Sequence, residues 1–520
     1  MDLMYTLRRS ASLYGNTPAM LDAEGEWTYN DMLDHVQKMA GALQRLGVGD
    51  NDMVAVLMLN NRTYMELMFG SVWAGGIVVP LNTRLAPPEL IFQMNDCKAK
   101  VLVIDDAFVP MLEAFEGKLE TVEHILYGGA GDAPAGLRRL RDLQDAADPV
   151  PCTTRNGSDL TGIYYTGGTT GRAKGVMLSH DNATANCANT LIGIGYSHTD
   201  TYLHVAPMFH LADAGTTWTI TMAGGCHAFI PAFEPEATLK AIQDFKVTRI
   251  ILVPTMINMV INHPAINEYD LSSLKTIVYG ASPIPAAVLE KALDILDCDF
   301  VQGYGMTESS QVVTVLPASD HHHPADSPLR GRLKSCGQPI SLTEVQVRDE
   351  DDKELPRGEV GEICFKGPNV MTGYLNMPDA TAESVREGWM HSGDVGYMDE
   401  DGYIYLVDRS KDMIVSGGEN VYSTEVETAI YAHPAVLEAA AIGIPHPEWG
   451  EAVHAVVSLK PDQTATEDEL IKHCKELIAG YKCPKSITFH DGDLPKSGAG
   501  KILKRDLREP FWADTDRRIN

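Results

Sequence analysis

Short, almost wholly apolar runs alternate with longer stretches in which apolar residues recur at helical spacing, and this alternation restricts the fold more than any other feature of the chain. Met32, Val36, Met39, Leu43 and Leu46 share one face of a helix that starts after Thr28, a residue suited to cap it. Met53–Leu59 then reads as a buried strand, Tyr64–Trp73 as a helix, and Ile77–Pro80 and Val101–Ile104 as further strands. A strand that is apolar on both faces must be covered on both, as in a mostly parallel sheet packed between helices. The rhythm returns at Arg249–Val253, Thr276–Tyr279 and Phe300–Tyr304. In open sheets of this kind ligands gather beyond the carboxyl ends of the strands, so chemistry is expected in the segments PTMI, GASPI and GYGMTES that follow these runs.

Beyond residue 340 the pattern changes to turn-punctuated β segments such as EVQVRDEDDKELPRGEVGEICFKG, which read as a mixed or antiparallel β subdomain. After Asp408–Arg409 a further unit begins, with strands expected at Ala439–Ile444 and Ala452–Leu459 and an amphipathic helix near Glu467–Leu477. The expected fold class is α/β: a large N-terminal domain of mixed, mostly parallel sheets with packed helices plus a β subdomain, residues 1–409, and a small α+β C-terminal domain, residues 410–520.

The 42 basic and 71 acidic side chains leave a formal charge of −29, which opposes nucleic acid or an anionic membrane surface as a general partner. An anionic ligand would need a local positive site. Nine cysteines form no CxxC pair, which points to reduced thiols, and neither a signal peptide nor an apolar run of about 18 residues occurs, so a cytoplasmic protein without membrane insertion is expected. Assembly as a homodimer is compatible with the sequence. His321, His322 and His323, followed by Pro324, read as a polar loop rather than a metal site.

The densest chemical signal is Tyr164-Tyr165-Thr166-Gly167-Gly168-Thr169-Thr170-Gly171-Arg172-Ala173-Lys174-Gly175. Glycines let backbone amides approach an anion, the threonines add hydroxyl donors, and Lys174 adds positive charge. It departs from the Walker loop, because Gly175 stands where that loop has Ser or Thr.

This segment resembles the phosphate loop of the adenylate-forming superfamily, which includes acyl-CoA synthetases, with Gly167 in place of a hydroxyl residue and Ala173 in place of proline. The resemblance continues in order along the chain. Gly280-Ala281-Ser282-Pro283 resembles the segment lining the adenine, and Gln302-Gly303-Tyr304-Gly305-Met306-Thr307-Glu308 the one whose tyrosine stacks on adenine and whose glutamate binds Mg²⁺. Trp389-Met390-His391-Ser392-Gly393-Asp394 resembles the segment whose aspartate holds the ribose hydroxyls. Asp408-Arg409-Ser410-Lys411-Asp412 resembles the domain junction, with Arg409 directed to ribose and α-phosphate and Lys411 at the hinge of a mobile C-terminal domain. Ser416-Gly417-Gly418 resembles the loop bordering the pantetheine tunnel, and Pro495–Ile502 the loop of the catalytic lysine, Lys501.

The resemblance implies an ATP-dependent acyl-CoA synthetase. Mg²⁺ would be held by Glu308 and Thr166, Lys174 would meet the β- and γ-phosphates, and Lys501 would touch both the carboxylate and the α-phosphate. CoA would then take the acyl group. His204–His210 resembles the PxFH segment at the mouth of the acyl pocket, which places His210 among the catalytic residues and makes Trp218, Val253 and Met256 candidates for its lining. Some long-chain enzymes carry a gating tryptophan where this chain has Ala214. A medium- or long-chain fatty acid ranks first as the carboxylic acid, with hydroxycinnamates, other aromatic acids or steroid side-chain acids next. A stand-alone adenylation enzyme that loads a carrier protein is the alternative.

Overall fold

The computed structural model describes residues 1–166, 173–282, 284–324, 326–409, 412–416, 419–447, 449–497 and 502–512, the side chains of Arg409, Glu419 and Asn420 excepted. These residues form two compact units: Met1–Ala281 with Val288–Glu344 and Phe365–Met390, and Ser282–Ala287 with Val345–Cys364 and His391–Asn520.

Two sheets dominate the first unit. One has nine strands, ordered Gln338–Pro339, Thr314–Leu316, Asp299–Tyr304, Thr276–Gly280, Arg249–Ile251, Thr201–His204, Cys226–Phe229, Pro18–Asp22 and Gly25–Thr28. Its six inner strands, Asp299–Tyr304 through Pro18–Asp22, run parallel, and antiparallel strands close both edges. The other has eight strands, ordered Gly373–Tyr374, Lys174–Ser179, Leu160–Thr166, Ile77–Pro80, Met53–Leu57, Val101–Ile104, His124–Tyr127 and Arg138–Arg139. Its pairings are parallel from Leu160–Thr166 onward, and the hairpin beside it is antiparallel. Strands Ile77–Pro80 and Val101–Ile104 are buried at every position, as apolar runs covered on both faces must be.

Helix Tyr29–Arg45 begins where expected: the Thr28 hydroxyl accepts from the Asp31 N–H at 3.2 Å, and the Asp31 carboxylate accepts from the Thr28 N–H at 2.9 Å. Met32, Val36, Met39 and Leu43 are fully buried on its inner face. Helix Arg62–Trp73 packs so closely against it that a Cβ on Gly70 would lie 2.4 Å from the Met39 side chain.

A third sheet contains Glu344–Arg348, Gly361–Lys366, Trp389–Met398, Val385–Arg386 and Ile404–Arg409. Within the second unit a fourth sheet is built on the long hairpin Val436–His446 and Gly450–Leu459, and helices Ser423–Tyr431 and Glu467–Leu477 share its core through Val426, Ile430, Leu470 and Cys474. This is the large α/β domain with a small α+β domain that the sequence predicts. Among the described residues no helix is long and apolar enough to cross a membrane.

The triple histidine is a polar loop only in part: His322 and His323 lie in turn and irregular backbone, while His321 belongs to a helix. Residues Ala318–His321 form a short helix, and His321 is buried with Nε2 3.0 Å from the Tyr279 hydroxyl. His322 pairs with Asp299 and His323 with Asp320, so the three rings face three different partners and do not converge as ligands.

Glu66 is fully buried in the first unit. It meets His35 at 2.9 Å, Arg62 at 2.8 Å, Arg141 at 3.1 Å and Gln144 at 3.1 Å. Burial alone would raise its pKa, but the His35 hydrogen bond and the charges of Arg141 and Arg62 outweigh burial and hold it at about 2. Because the folded value lies below the unfolded one, the stabilisation, on the order of 3 kcal/mol, is complete above the ordinary carboxylate range and is lost as pH falls through that range toward about 2. Glu66→Gln should therefore be less stable at neutral pH, since Arg141 loses its counter-charge and Arg62 keeps only Asp22 and Glu24, and its melting temperature should fall less on acidification than that of the wild type. Parallel acid limbs in the two proteins would assign the acid sensitivity to other carboxylates.

Candidate active site

The hairpin at the edge of the eight-stranded sheet brings the ends of the glycine-threonine segment together, with Thr166 opposite Lys174 and Tyr165 opposite Gly175. Gly167, Gly168, Thr169, Thr170 and Gly171 lie outside the described residues. On the far side of Lys174–Ser179 runs the two-residue strand Gly373–Tyr374, with Tyr374 opposite Val176. That pairing puts the Tyr374 ring 4.6 Å from the Lys174 ammonium, and the Tyr374 hydroxyl donates to Glu308 Oε1 at 2.8 Å. Burial, with the charge of Glu308, pushes the Tyr374 phenol well above its ordinary pKa, so it remains a hydrogen-bond donor. Lys174, Tyr374 and Glu308 thus form one line from the glycine-threonine hairpin to a buried carboxylate. Tyr374 was missed in the sequence because its strand is too short to leave a pattern and its partners are distant along the chain.

Glu308 is 6% exposed, in a tight turn held by the Met306 N–H on Ser309 Oγ at 3.0 Å. The turn leaves through Ser310 at φ +60° and Gln311 at φ +135°, two non-glycine residues in succession on the strained side of the backbone map. The Gln311 amide donates to Ala212 O at 2.7 Å and Thr216 Oγ1 at 2.9 Å and accepts from Asn186 at 3.1 Å. Asn369 receives the Ser310 hydroxyl at 2.7 Å and donates to Ser309 O at 3.1 Å. These bonds offset the strain and aim Glu308.

Strand Thr276–Gly280 pairs in parallel with Asp299–Tyr304, with Gly280 opposite Gly303. A Cβ on Gly280 would lie 2.2 Å from the Gly303 carbonyl oxygen, and one on Gly305 2.1 Å from that of Gln311, so these glycines answer to backbone crowding. Ala281 follows at φ +65°, and Ser282 is half-buried. Gln302 accepts from the Tyr279 hydroxyl at 3.3 Å, and Gln302, Gly303, Tyr304, Gly305, Met306 and Thr307 are all half-buried, open enough to meet a ligand.

His210 caps helix Leu211–Ala223, its Nδ1 accepting from the Ala212 N–H at 3.2 Å. Burial lowers its pKa, so the ring is neutral with its proton on Nε2. Beneath it a fully buried chain links the Tyr202 hydroxyl to Asp213 (2.8 Å), Asp213 to His204 (2.7 Å), His204 to His227 (2.9 Å) and His227 to Thr221 (3.1 Å), anchoring the helix to two strands. Ala214 is fully buried, Trp218 lies tilted against Phe69 with centroids 4.4 Å apart, Met256 is buried and Val253 half-buried.

In the second unit, Asp394 stands opposite Arg409 on neighbouring antiparallel strands, which sets the two residues expected at the ribose side by side along the backbone. Ser416 pairs with Glu419 on neighbouring antiparallel strands. Lys411, Gly417, Gly418 and Lys501 lie outside the described residues, although Lys496 and Ile502 bridge on either side of Lys501. Glu362, also missed in the sequence, accepts from the Gly393 N–H at 2.9 Å, immediately before Asp394.

The AMP-binding enzyme model matches residues 7–375, and the AMP-binding enzyme C-terminal domain model matches residues 425–501. A feruloyl-CoA synthase from Amycolatopsis is 41% identical over 485 residues, covering 93% of this chain and 94% of its own. A long-chain-fatty-acid–CoA ligase from Escherichia coli is 34% identical over 547 residues, covering 99% and 95%. The crystal structure of the anthranilate CoA ligase AuaEII in complex with anthranoyl-AMP superimposes with a TM-score of 0.89 at 27% identity, covering 98% of this chain and 97% of its own. The chain belongs to the AMP-binding enzyme family within the adenylate-forming superfamily, as an acyl-CoA synthetase, an AMP-forming acid–thiol ligase that works with ATP, Mg²⁺ and CoA.

Proposed function

We propose that the enzyme activates an aromatic acid of the hydroxycinnamate type, a choice supported above all by its 41% identity to feruloyl-CoA synthase against 34% to the long-chain ligase. Ala214 in place of a gating tryptophan supports the same order, which reverses the ranking made from sequence. A fatty acid is the second reading, favoured by the long-chain relative. Nine free thiols fit a reducing compartment, and we place the enzyme in the cytoplasm.

The site residues take the following roles in this reading. Joining a carboxylate to ATP requires two anions to meet, so positive charge has to be placed before the bond forms. Lys174 lies against the β- and γ-phosphates. The Glu308 carboxylate and Thr166 hydroxyl are oxygen donors of the kind Mg²⁺ takes, and an ion held there supplies charge neutralisation to the departing pyrophosphate. Tyr374, bonded to Glu308 and stacked under Lys174, keeps the carboxylate turned toward the lysine. The adenine and its ribose fall to Gly280, Ala281, Ser282, Gln302, Tyr304, Asp394 and Arg409. Lys501 holds the acid's carboxylate against the α-phosphate, the α-phosphorus gains the carboxylate oxygen, and pyrophosphate leaves. His210, its Nδ1 already engaged by Ala212, offers only an Nε2 donor to the acyl group.

The CoA thiol then attacks the acyl carbon and AMP departs. Residues 1–409 and 410–520 act as the two domains, and rotation near Lys411 withdraws Lys501 and brings Ser416, Gly417 and Gly418 to the thiol's path, a gate between two half-reactions.

Pyrophosphate exchange driven by hydroxycinnamates should exceed that driven by fatty acids in kcat/KM, and added CoA alone should release the thioester. Exchange with fatty acids only would reverse the substrate assignment, and a requirement for a carrier protein would replace CoA as acceptor. Lys501→Ala is expected to lose adenylate formation while still turning supplied acyl-adenylate and CoA into thioester, and equal loss of both halves would remove Lys501 from its role. Tyr374→Phe should lower kcat/KM for ATP in exchange about tenfold, the cost of one hydrogen bond to a charged group, with a raised Mg²⁺ requirement. An unchanged Mg²⁺ dependence would detach Tyr374 from the metal carboxylate.

A further inference from the structure

We infer that Glu362, acting with His391, is a positioning residue for nucleotide binding: its carboxylate holds the turn that presents Asp394. The inference rests on the ribose role given to Asp394 above. Glu362 and Cys364, two residues apart on strand Gly361–Lys366, project from the same face of the sheet beside the neighbouring strand Trp389–Met398. There the two oxygens of Glu362 are used separately. Oε1 accepts from the Gly393 N–H at 2.9 Å, and Oε2 lies 2.8 Å from His391 Nδ1. One carboxylate therefore grips the strand on both sides of Ser392.

Ser392 completes the grip. Its hydroxyl donates to Ile363 O at 2.6 Å and accepts from the Asp394 N–H at 3.0 Å. Every residue from His391 to Asp394 is thus tied to a group on or beside Gly361–Lys366, directly or through Ser392. The turn needs this, because Gly393 stands at φ +72° in the middle of a strand, and a glycine in that conformation has many alternatives unless its N–H is claimed. A change of its backbone angles would swing the next side chain, Asp394, away from the ribose.

The imidazole is fixed as firmly as the turn. His391 is buried, its Nε2 is 3.5 Å from Asp352, and its Nδ1 also meets Cys364 Sγ at 3.2 Å. Glu362, Cys364 and His391 thereby offer three potential metal-ligand atoms within 4.8 Å of one another. The 2.8 Å separation of nitrogen from carboxylate oxygen is a hydrogen-bond length, and the other carboxylate oxygen is spent on the Gly393 N–H, so the trio is a hydrogen-bonded support rather than a set of converging lone pairs.

The test compares Glu362→Gln, Glu362→Ala, Asp394→Asn and the double variant Glu362→Gln/Asp394→Asn in ATP–pyrophosphate exchange, with melting temperatures to establish folding. Asp394→Asn alone should raise KM for ATP, and an unchanged KM would overturn the ribose reading itself. Given that rise, Glu362→Gln should raise KM for ATP about tenfold, Glu362→Ala more, both with KM for the acid unchanged. The decisive measurement is the double variant, where Glu362→Gln should add little, because its effect passes through Asp394. A full, additive increase in the double variant, or an equal rise in KM for the acid and for ATP, would overturn the positioning role. So would stoichiometric zinc in the purified wild type that is absent from His391→Ala.

Discussion

Two mostly parallel sheets whose central strands are covered on both faces give this molecule its one unavoidable constraint: charged and polar groups that must meet a ligand have to be gathered where the strands end. The strand pair Thr276–Gly280 and Asp299–Tyr304 shows the constraint at its tightest. Their carboxyl ends approach until Gly280, facing the Gly303 carbonyl, has no room for a Cβ, and the chain then turns through Gly305 into the buried Glu308. The hairpin that carries Thr166 and Lys174 ends at the edge of the other sheet, and Tyr374 spans from it to Glu308. Strand ends are where the backbone has unspent donors and the side chains have room.

Two groups of buried polar side chains away from these ends are linked into sets among the described residues. Glu66 is surrounded by Arg62, Arg141, His35 and Gln144, and Asp213 by Tyr202 and His204, with His227 and Thr221 extending the chain. Removing one member of such a set strands the others in low dielectric, which costs more than the bond itself contributes. These sets therefore act less as sources of net stability than as devices that admit one arrangement of helices. The Asp213 set fixes the helix that His210 caps, and the Glu66 set fixes the helix beneath the second sheet. The acidic excess of the chain belongs to its surface and leaves this interior arrangement untouched.

The legible part of the fold was the part written in local periodicity. Met32, Val36, Met39 and Leu43 on the inner face of Tyr29–Arg45, the Thr28 cap, strands Ile77–Pro80 and Val101–Ile104, and helix Glu467–Leu477 all follow from residue spacing within a few turns. The glycine-threonine segment stood out for another reason: glycine, threonine and lysine crowded into so short a stretch have few structural uses besides cradling an anion. Where local pattern was absent the reading failed. His321 looked like a surface residue because its neighbours are polar, yet the Tyr279 hydroxyl draws it inward. Tyr374 and Glu362 gave no signal at all, since each matters through partners that are distant along the chain.

The sequence by itself determined the α/β class, which depends on short-range spacing, and its motifs carried the resemblance to the family. Only the tertiary structure decided that Tyr374 joins Lys174 to Glu308, that Gln311 and Asn369 hold the strained turn after Glu308, and that Glu362 grips the turn before Asp394. The reason is physical. A side chain's chemistry is carried by its own composition, but its orientation is set by hydrogen bonds to groups that come near it only after the strands have paired.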